Sequence, residues 1–329
     1  MKREHTAFRY PGEQAEHAAQ FASDVQYYLM QSPRQLPSRY LYDALGSSLF
    51  EAICRLPWYR ITRAEERLLA KHGSAALRHL APLSTIVELG SGSGEKLRLL
   101  LDQRGRHAAP VNVHLVDVSP SALATSVRAL QSAEDVRITV HQRSYEEGLR
   151  EASDRFAAGE RALVLFLGSN IGNYDPPCAH AFVRGVRSCL RPGDAFLLGV
   201  DLVKSERELL LAYDDPLGVT AAFNRNLLVR INRELGGNFD VEAFAHRAVW
   251  NSGESRIEMH LVTRSTQQIH ITAAQLAFAM ERDEGIWTES SYKYSPDTIV
   301  PLVEAAAFCV ADQWVDEHDR FALTLAEAV

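Results

Sequence analysis

The stretch Thr85-Ile-Val-Glu-Leu-Gly-Ser-Gly-Ser-Gly-Glu-Lys96 constrains this chain more than any other. It predicts a buried strand through Ile86, Val87 and Leu89, a turn at Gly90, Gly92 and Gly94, and a helix opening at Glu95 that carries Leu97, Leu99, Leu100 and Leu101. Glycines let backbone N–H groups approach a ligand with no Cβ in the way. A helix start behind them favours anionic or strongly polar groups. A dinucleotide fold would place a third glycine at position 95, in G-x-G-x-x-G spacing. Position 95 is Glu, so the spacing is G-x-G-x-G after an acidic strand residue, Glu88.

A second strand-like run, 111–117, ends in Asp117. An acidic side chain at the end of the next strand, roughly 20 to 30 residues past such a turn, can accept both ribose hydroxyls of an adenosine. Ser119 and Pro120 already supply the cap and first-turn proline of the following helix, which leaves Asp117 available. With Glu88 ahead of the glycines, this turn resembles the S-adenosylmethionine (SAM) turn of class I methyltransferases.

The bulk numbers narrow the class. The chain has 329 residues, 46% of them hydrophobic, enough for one large core or two modest ones. A net charge of −7 argues against a nucleic acid held in an electrostatic groove. No apolar run reaches the roughly 20 residues that span a bilayer, and the N-terminus carries no signal-peptide core. The cysteines, Cys54, Cys178, Cys189 and Cys309, are scattered and match no metal spacing. The expectation is a soluble, reduced, cytoplasmic enzyme without a metal, monomeric or weakly dimeric, with no nucleic-acid or membrane partner.

Residues 12–31 read as a helix, 39–50 as a turn and a helix, and Thr62-Arg-Ala-Glu65 as a capping box for a helix running to about Leu80. From 84 to 201 strands and helices alternate, the pattern of a doubly wound parallel sheet. The strands expected are 84–89, 111–117, 136–142, 162–168 and 194–201. The fourth is continuous and apolar, as a central parallel strand should be. Ligands in such sheets sit at the carboxyl ends of the strands. That gathers Gly90, Asp117, Ser144, Tyr145 and the run Gly168-Ser-Asn-Ile-Gly-Asn173 around one crevice. Residues 202 to about 290 interrupt the alternation with helices at 209–213 and 219–235 and strands at 247–264 and 268–271, the first pair turning at Asn251-Ser-Gly253. A helix at 296–307 and an antiparallel strand pair, 308–315 with 320–325, close the sheet edge.

Several motifs then occur in a fixed order: Tyr42-Asp-Ala-Leu-Gly-Ser-Ser-Leu-Phe50, Leu56-Pro-Trp-Tyr59, Glu88-Leu-Gly-Ser-Gly92, Phe166-Leu-Gly-Ser-Asn-Ile-Gly-Asn173, Asp201-Leu-Val-Lys204, Ala212-Tyr-Asp-Asp215 and Phe223-Asn-Arg-Asn226. From about residue 20 to its end the chain closely resembles the L-histidine Nα-methyltransferases of ergothioneine biosynthesis. The resemblance implies trimethylation of the histidine α-amine to hercynine, with three SAM molecules as methyl donors. It implies a Rossmann-like, class I SAM-dependent α/β fold with a second, α+β lid. The lid would be built from 1–61 and the insertion 202–292, the SAM-binding core from 62–201 and 293–329.

By motif, Gly90, Lys96, Asp117, Ser144 and Tyr145 match positions that hold SAM. Tyr59, Gly168, Asn173, Tyr213, Glu289 and Ser291 match histidine-binding positions, and Tyr42 is the candidate catalytic tyrosine near the amine. The resemblance gives Asn173 and Tyr213 the substrate carboxylate, and Glu289 with Ser291 the imidazole. The chain departs from its relatives at Ser93-Gly94, Asn170, Tyr145 and Arg60-Ile61, which touch the SAM turn and the pocket rim. Two residues apart on a strand, Glu289 and Ser291 face the same side. From the residues alone, Tyr42, Tyr59 and Tyr213 suit either a lid core or a pocket for a growing ammonium cation. A relative acting on another amino acid or a modified histidine, a nucleic-acid or protein methyltransferase, and a silent SAM-binding subunit are the rival readings.

Overall fold

The computed structural model describes residues 11–104, 109–157 and 159–329. The chain opens with helix α1 (Pro11–Leu29), a two-residue strand β1 (Arg34–Gln35) and a short 3-10 turn, followed by α2 (Ala44–Arg55) and α3 (Ile61–His79). Strand and helix then alternate: β2 (Leu83–Leu89), α4 (Glu95–Leu101), β3 (Val111–Val116), α5 (Pro120–Leu130), β4 (Val136–His141), α6 (Tyr145–Ser153), β5 (Arg161–Phe166), α7 (Pro176–Ser188) and β6 (Ala195–Asp201). The insertion contributes α8 (Glu206–Tyr213), α9 (Val219–Leu235), β7 (Phe244–Asn251), β8 (Arg256–Thr263), β9 (Gln267–Ile271), β10 (Leu276–Met280) and β11 (Gly285–Tyr292). α10 (Pro296–Glu304), β12 (Phe308–Asp316) and β13 (Phe321–Ala328) complete the chain.

The main sheet has seven strands in the order β12-β13-β6-β5-β2-β3-β4. β4 to β6 pair in parallel through β3, β2 and β5, while β13 runs antiparallel to β6 and β12 antiparallel to β13. This is the expected doubly wound sheet of a class I SAM methyltransferase. Its direction of winding reverses between β2 and β5, where open α/β sheets bind their ligands. The alternation of side chains across the pleat builds two cores. Ile86, Leu163, Leu165 and Leu197 enter the core that also holds Phe21, Phe223, Met259 and Ile286 from the N-terminal segment and the insertion. Val87, Val164, Phe166 and Phe196 enter the core on the other face, with α7 and α10. β6 is buried along its whole length: Phe196, Leu198 and Val200 share a core with α7 and α10, and Gly199 faces Glu65 of α3.

The N-terminal segment and the insertion are joined directly. β1 pairs in parallel with β11, at one edge of a four-stranded sheet ordered β1-β11-β8-β7. Asp43 caps α2 through the Gly46 N–H at 2.7 Å and also accepts from Asn226 and Arg233 of α9.

Two expectations are corrected. α3 begins at Ile61 with Arg60 at its cap and no side-chain cap bond, so Thr62 and Glu65 form no capping box. Glu65 is fully buried and its carboxylate is taken up by Lys96 and the Gly168 N–H, partners outside α3, instead of a local cap. β10 lies beyond the expected strands, with a mixed burial pattern, and β11, the strand expected to carry Glu289 and Ser291, has a bulge between Trp287 and Glu289 that breaks a clean period of two.

Candidate active site

Two neighbouring cavities open at the carboxyl ends of the parallel strands. The larger has an empty volume of about 1200 Å³ and is walled by the glycine turn, Glu88, Lys96, Thr62 and Cys54. The smaller, about 440 Å³, is lined by Tyr42, Asn173, Tyr213, Thr220, Met259, Glu289 and Ser291. Phe50, Tyr59, Gly168 and Asn170 belong to both walls, so the two chambers adjoin.

The glycine turn follows from its backbone. Gly90, Gly92 and Gly94 have φ of 80°, 50° and 75°, a region that side chains with a Cβ rarely occupy. A Cβ on Gly94 would lie 2.8 Å from Ser126 Cα, whereas one on Gly92 would meet nothing within 4 Å. The turn is thus packed behind and open toward the cavity. Asp117 stands beside it, accepting from the Gly92 N–H at 3.4 Å and the Ser119 N–H at 2.8 Å. It therefore braces the start of α5 as well, more than its sequence context suggested. Burial raises its carboxyl above the ordinary value, partly offset by those backbone donors. Ser144 caps α6, accepting from the Glu147 N–H at 3.3 Å. The Tyr145 hydroxyl reaches to 3.1 Å from where a Gly90 Cβ would be.

Lys96 and Glu88 line the larger cavity, and Glu65 stands behind Lys96. Lys96 Nζ lies 2.5 Å from Glu65 Oε2. Burial opposes its charge, but the Glu65 carboxylate outweighs burial and holds the ammonium above its ordinary pKa. Glu88 is fully buried, and its carboxyl is pushed up to about 8 by desolvation, with Lys96 opposing. Its Oε2 has no partner among the described residues. A neutral carboxyl there can donate as well as accept a hydrogen bond.

The smaller cavity is aromatic on one side and polar on the other. Tyr42 packs edge-on against Phe50 and Phe223, with centroids 5.4 and 5.5 Å apart, and Phe50 and Tyr213 flank Tyr59 at 6.2 Å each. Burial lifts the Tyr42 and Tyr59 hydroxyls well above their ordinary range, so both keep their protons near neutrality. Opposite them, Glu289 is buried and its carboxyl rises to about 7 through desolvation, countered by Lys293. Its Oε2 also lacks a partner among the described residues. The Tyr213 and Ser291 hydroxyls are 2.8 Å apart, and Lys293 Nζ donates to both, at 2.7 and 2.8 Å.

All six residues expected to bind substrate, with Tyr42, therefore line one chamber. Gly90 and Lys96 line the other, while Asp117, Ser144 and Tyr145 stand outside its wall. The sequence reading missed Glu65, Lys293 and Asp201 as site residues. Lys293 had an available signal: 289, 291 and 293 share one strand face by period two. Asp201 lies in the Asp201-Leu-Val-Lys204 motif and pairs locally with Lys204, but its partner Lys293 is distant in the chain, as are the Glu65 partners Lys96 and Gly168.

A family model described as histidine-specific methyltransferase, SAM-dependent, matches residues 21–328. The chain is 42% identical to a histidine N-alpha-methyltransferase of Mycobacterium tuberculosis, over 96% of this chain and 97% of that one. It is 40% identical to a protein of the same name from Mycolicibacterium smegmatis, over 92% and 93%. Ergothioneine biosynthesis protein 1 of Neurospora crassa, a longer protein, is 28% identical over 78% of this chain and 31% of its own length. Matched along nearly its whole length, the chain belongs to the histidine-specific, SAM-dependent methyltransferase family.

Proposed function

We propose that this protein transfers methyl groups from SAM to the α-amino group of L-histidine, three times in succession, forming hercynine on the way to ergothioneine. The observation that carries the substrate is the unpartnered Glu289 Oε2, buried in a chamber that adjoins the glycine turn. A ring with N–H groups satisfies that oxygen, and a phenyl ring leaves it unpaired at a cost of about 1–3 kcal/mol.

The larger cavity suits SAM: an open Gly92, an unpartnered Glu88 oxygen and a buried ammonium at Lys96 meet a ligand that carries both an amine and a carboxylate. In this reading Gly90, Lys96, Asp117, Ser144 and Tyr145 hold SAM. Tyr59, Gly168, Asn173, Tyr213, Glu289 and Ser291 hold histidine. Residues 11–61 with 202–292 form the substrate lid, and 62–201 with 293–329 the SAM core; residues 1–10 of the expected lid lie outside the described residues. SAM supplies an activated methyl on a sulfonium, displaced in line, so no metal is needed for the transfer.

The chain's own work is alignment and proton handling. Asn173 and Tyr213 take the carboxylate, Glu289 and Ser291 the ring, and the amine is thereby aimed through the shared wall at Gly168. An α-amine has a reference pKa of about 8 and must lose a proton before each attack. Tyr42, protonated at neutral pH, relays that proton through its hydroxyl to water rather than acting as a free base. The faces of Tyr42, Tyr59 and Tyr213 accommodate the quaternary ammonium as it forms.

Mass spectrometry of histidine incubated with SAM and the protein tests the proposal. Mono-, di- and trimethylhistidine are expected to appear in order. Absence of every methylated species, with SAM binding intact, overturns it.

A further inference from the structure

Lys293 is fully buried just past the end of β11, two residues after Ser291. Its ammonium has three N–H groups and no acceptor. All three are committed: to Tyr213 Oη at 2.7 Å, to Ser291 Oγ at 2.8 Å and to Asp201 Oδ2 at 3.2 Å. Asp201 ends β6 and is itself anchored, through Lys204 Nζ at 2.7 Å on Oδ1 and through its N–H to Ser169 Oγ at 2.9 Å. Ser169 belongs to the loop that carries Gly168 and Asn173. One ion pair thus ties the sheet end, the loop and two substrate-facing hydroxyls together.

The hydrogen count restricts what those hydroxyls can do. Each accepts one bond from Lys293, and their mutual contact at 2.8 Å uses one of their two hydrogens. One hydrogen and one lone pair remain for the substrate, and they lie on different residues. If Tyr213 donates outward, Ser291 must donate to Tyr213 and can only accept from the substrate. If Ser291 donates outward, Tyr213 can only accept. Burial keeps the Tyr213 proton in place despite the neighbouring ammonium, so the count holds near neutrality.

We propose that Lys293 is a positioning residue for the substrate, locking Tyr213 and Ser291 into one unit that offers a single donor and a single acceptor. This rests on the histidine reading above. A carboxylate accepts only, so it fixes Tyr213 as the outward donor and leaves Ser291 as an acceptor. The ring nitrogen facing Ser291 must then carry hydrogen. Recognition of the two ends of the substrate is coupled through Lys293.

The test measures steady-state kinetics and SAM binding for Lys293→Met and Lys293→Gln. Asp201 keeps Lys204 as a partner in both, so no buried carboxylate is stranded. The histidine KM is expected to rise at least tenfold in Lys293→Met and less in Lys293→Gln, which retains an amide donor. The kcat is expected to change under threefold and the SAM Kd under twofold, as for loss of substrate binding alone. Tyr213→Phe and Ser291→Ala are expected to be non-additive in the native background and at least threefold less coupled in Lys293→Met, where only their mutual contact still links them. A histidine KM within twofold of native overturns the proposal. So does equal loss of SAM and histidine affinity, which marks a merely structural role, and so does coupling that is undiminished in Lys293→Met. Native protein that fails to methylate histidine at all defeats the function instead, and is measured first.

Discussion

Glu65 and Gly168 meet across 103 residues of chain, with both carboxylate oxygens 2.9 Å from the Gly168 nitrogen. The same carboxylate holds Lys96. One side chain from α3 therefore fixes the wall that separates the two chambers and a cation lining the larger one. Glu65→Ala leaves a buried ammonium and an amide N–H unpaired. It is expected to destabilise the protein by about 3–5 kcal/mol, read as a lower urea midpoint with unchanged slope. SAM and histidine affinities should fall together, and Glu65→Gln should lose less of both. Unchanged affinity for both ligands would remove Glu65 from the site.

Gly199 makes the same point from the opposite strand. A Cβ there would stand 2.0 Å from Glu65 Oε1 and 3.2 Å from Phe321 Cζ. The carboxylate cannot retreat without releasing Gly168 and Lys96. Gly199→Ala, a single added methyl, is expected to cost about 1–3 kcal/mol and to weaken both ligands in the manner of the Glu65 variants. Calorimetric titration with each ligand checks this.

Glu289→Ala is expected to raise the histidine Kd by roughly tenfold to a hundredfold, the loss of one or two charge-assisted hydrogen bonds, while SAM binding persists. Isothermal calorimetry reads both. Unaltered histidine affinity would refute the assignment of the ring to this carboxylate.

Two carboxyls give the ligand-free protein a definite pH dependence. Glu88 and Glu289 rise from an ordinary value of 4.5 to about 8 and about 7 in the fold. A group whose pKa is higher folded than unfolded binds more protons in the folded state. Its stabilising contribution is complete below about 4.5 and is lost as pH rises through 7 and 8. Stability measured by urea unfolding is thus expected to decline from pH 5 to 8. The double variant Glu88→Gln, Glu289→Gln should flatten that decline. An equal slope in both proteins would mean that other groups carry it.

Local pattern made much of this protein readable in advance. The glycine turn, the acidic ends of β2 and β3 and the apolar run of β5 depend on neighbours in sequence, where backbone sterics and side-chain alternation act directly. The Ser119-Pro120 helix start was legible for the same reason, because a cap and its N–H lie three residues apart. The Thr62–Glu65 box failed by the same logic: a local bond was outbid by partners that the local pattern cannot show.

By itself the sequence determined the sheet, its winding and the kind of ligand its first turn can take, since these follow from short-range geometry repeated along the chain. Only the tertiary structure decided that Glu65 reaches Gly168 and Lys96, and that Lys293 and Asp201 brace Tyr213 and Ser291. Such buried charges persist only where distant partners converge to offset their desolvation, and that convergence exists only once the chain has folded.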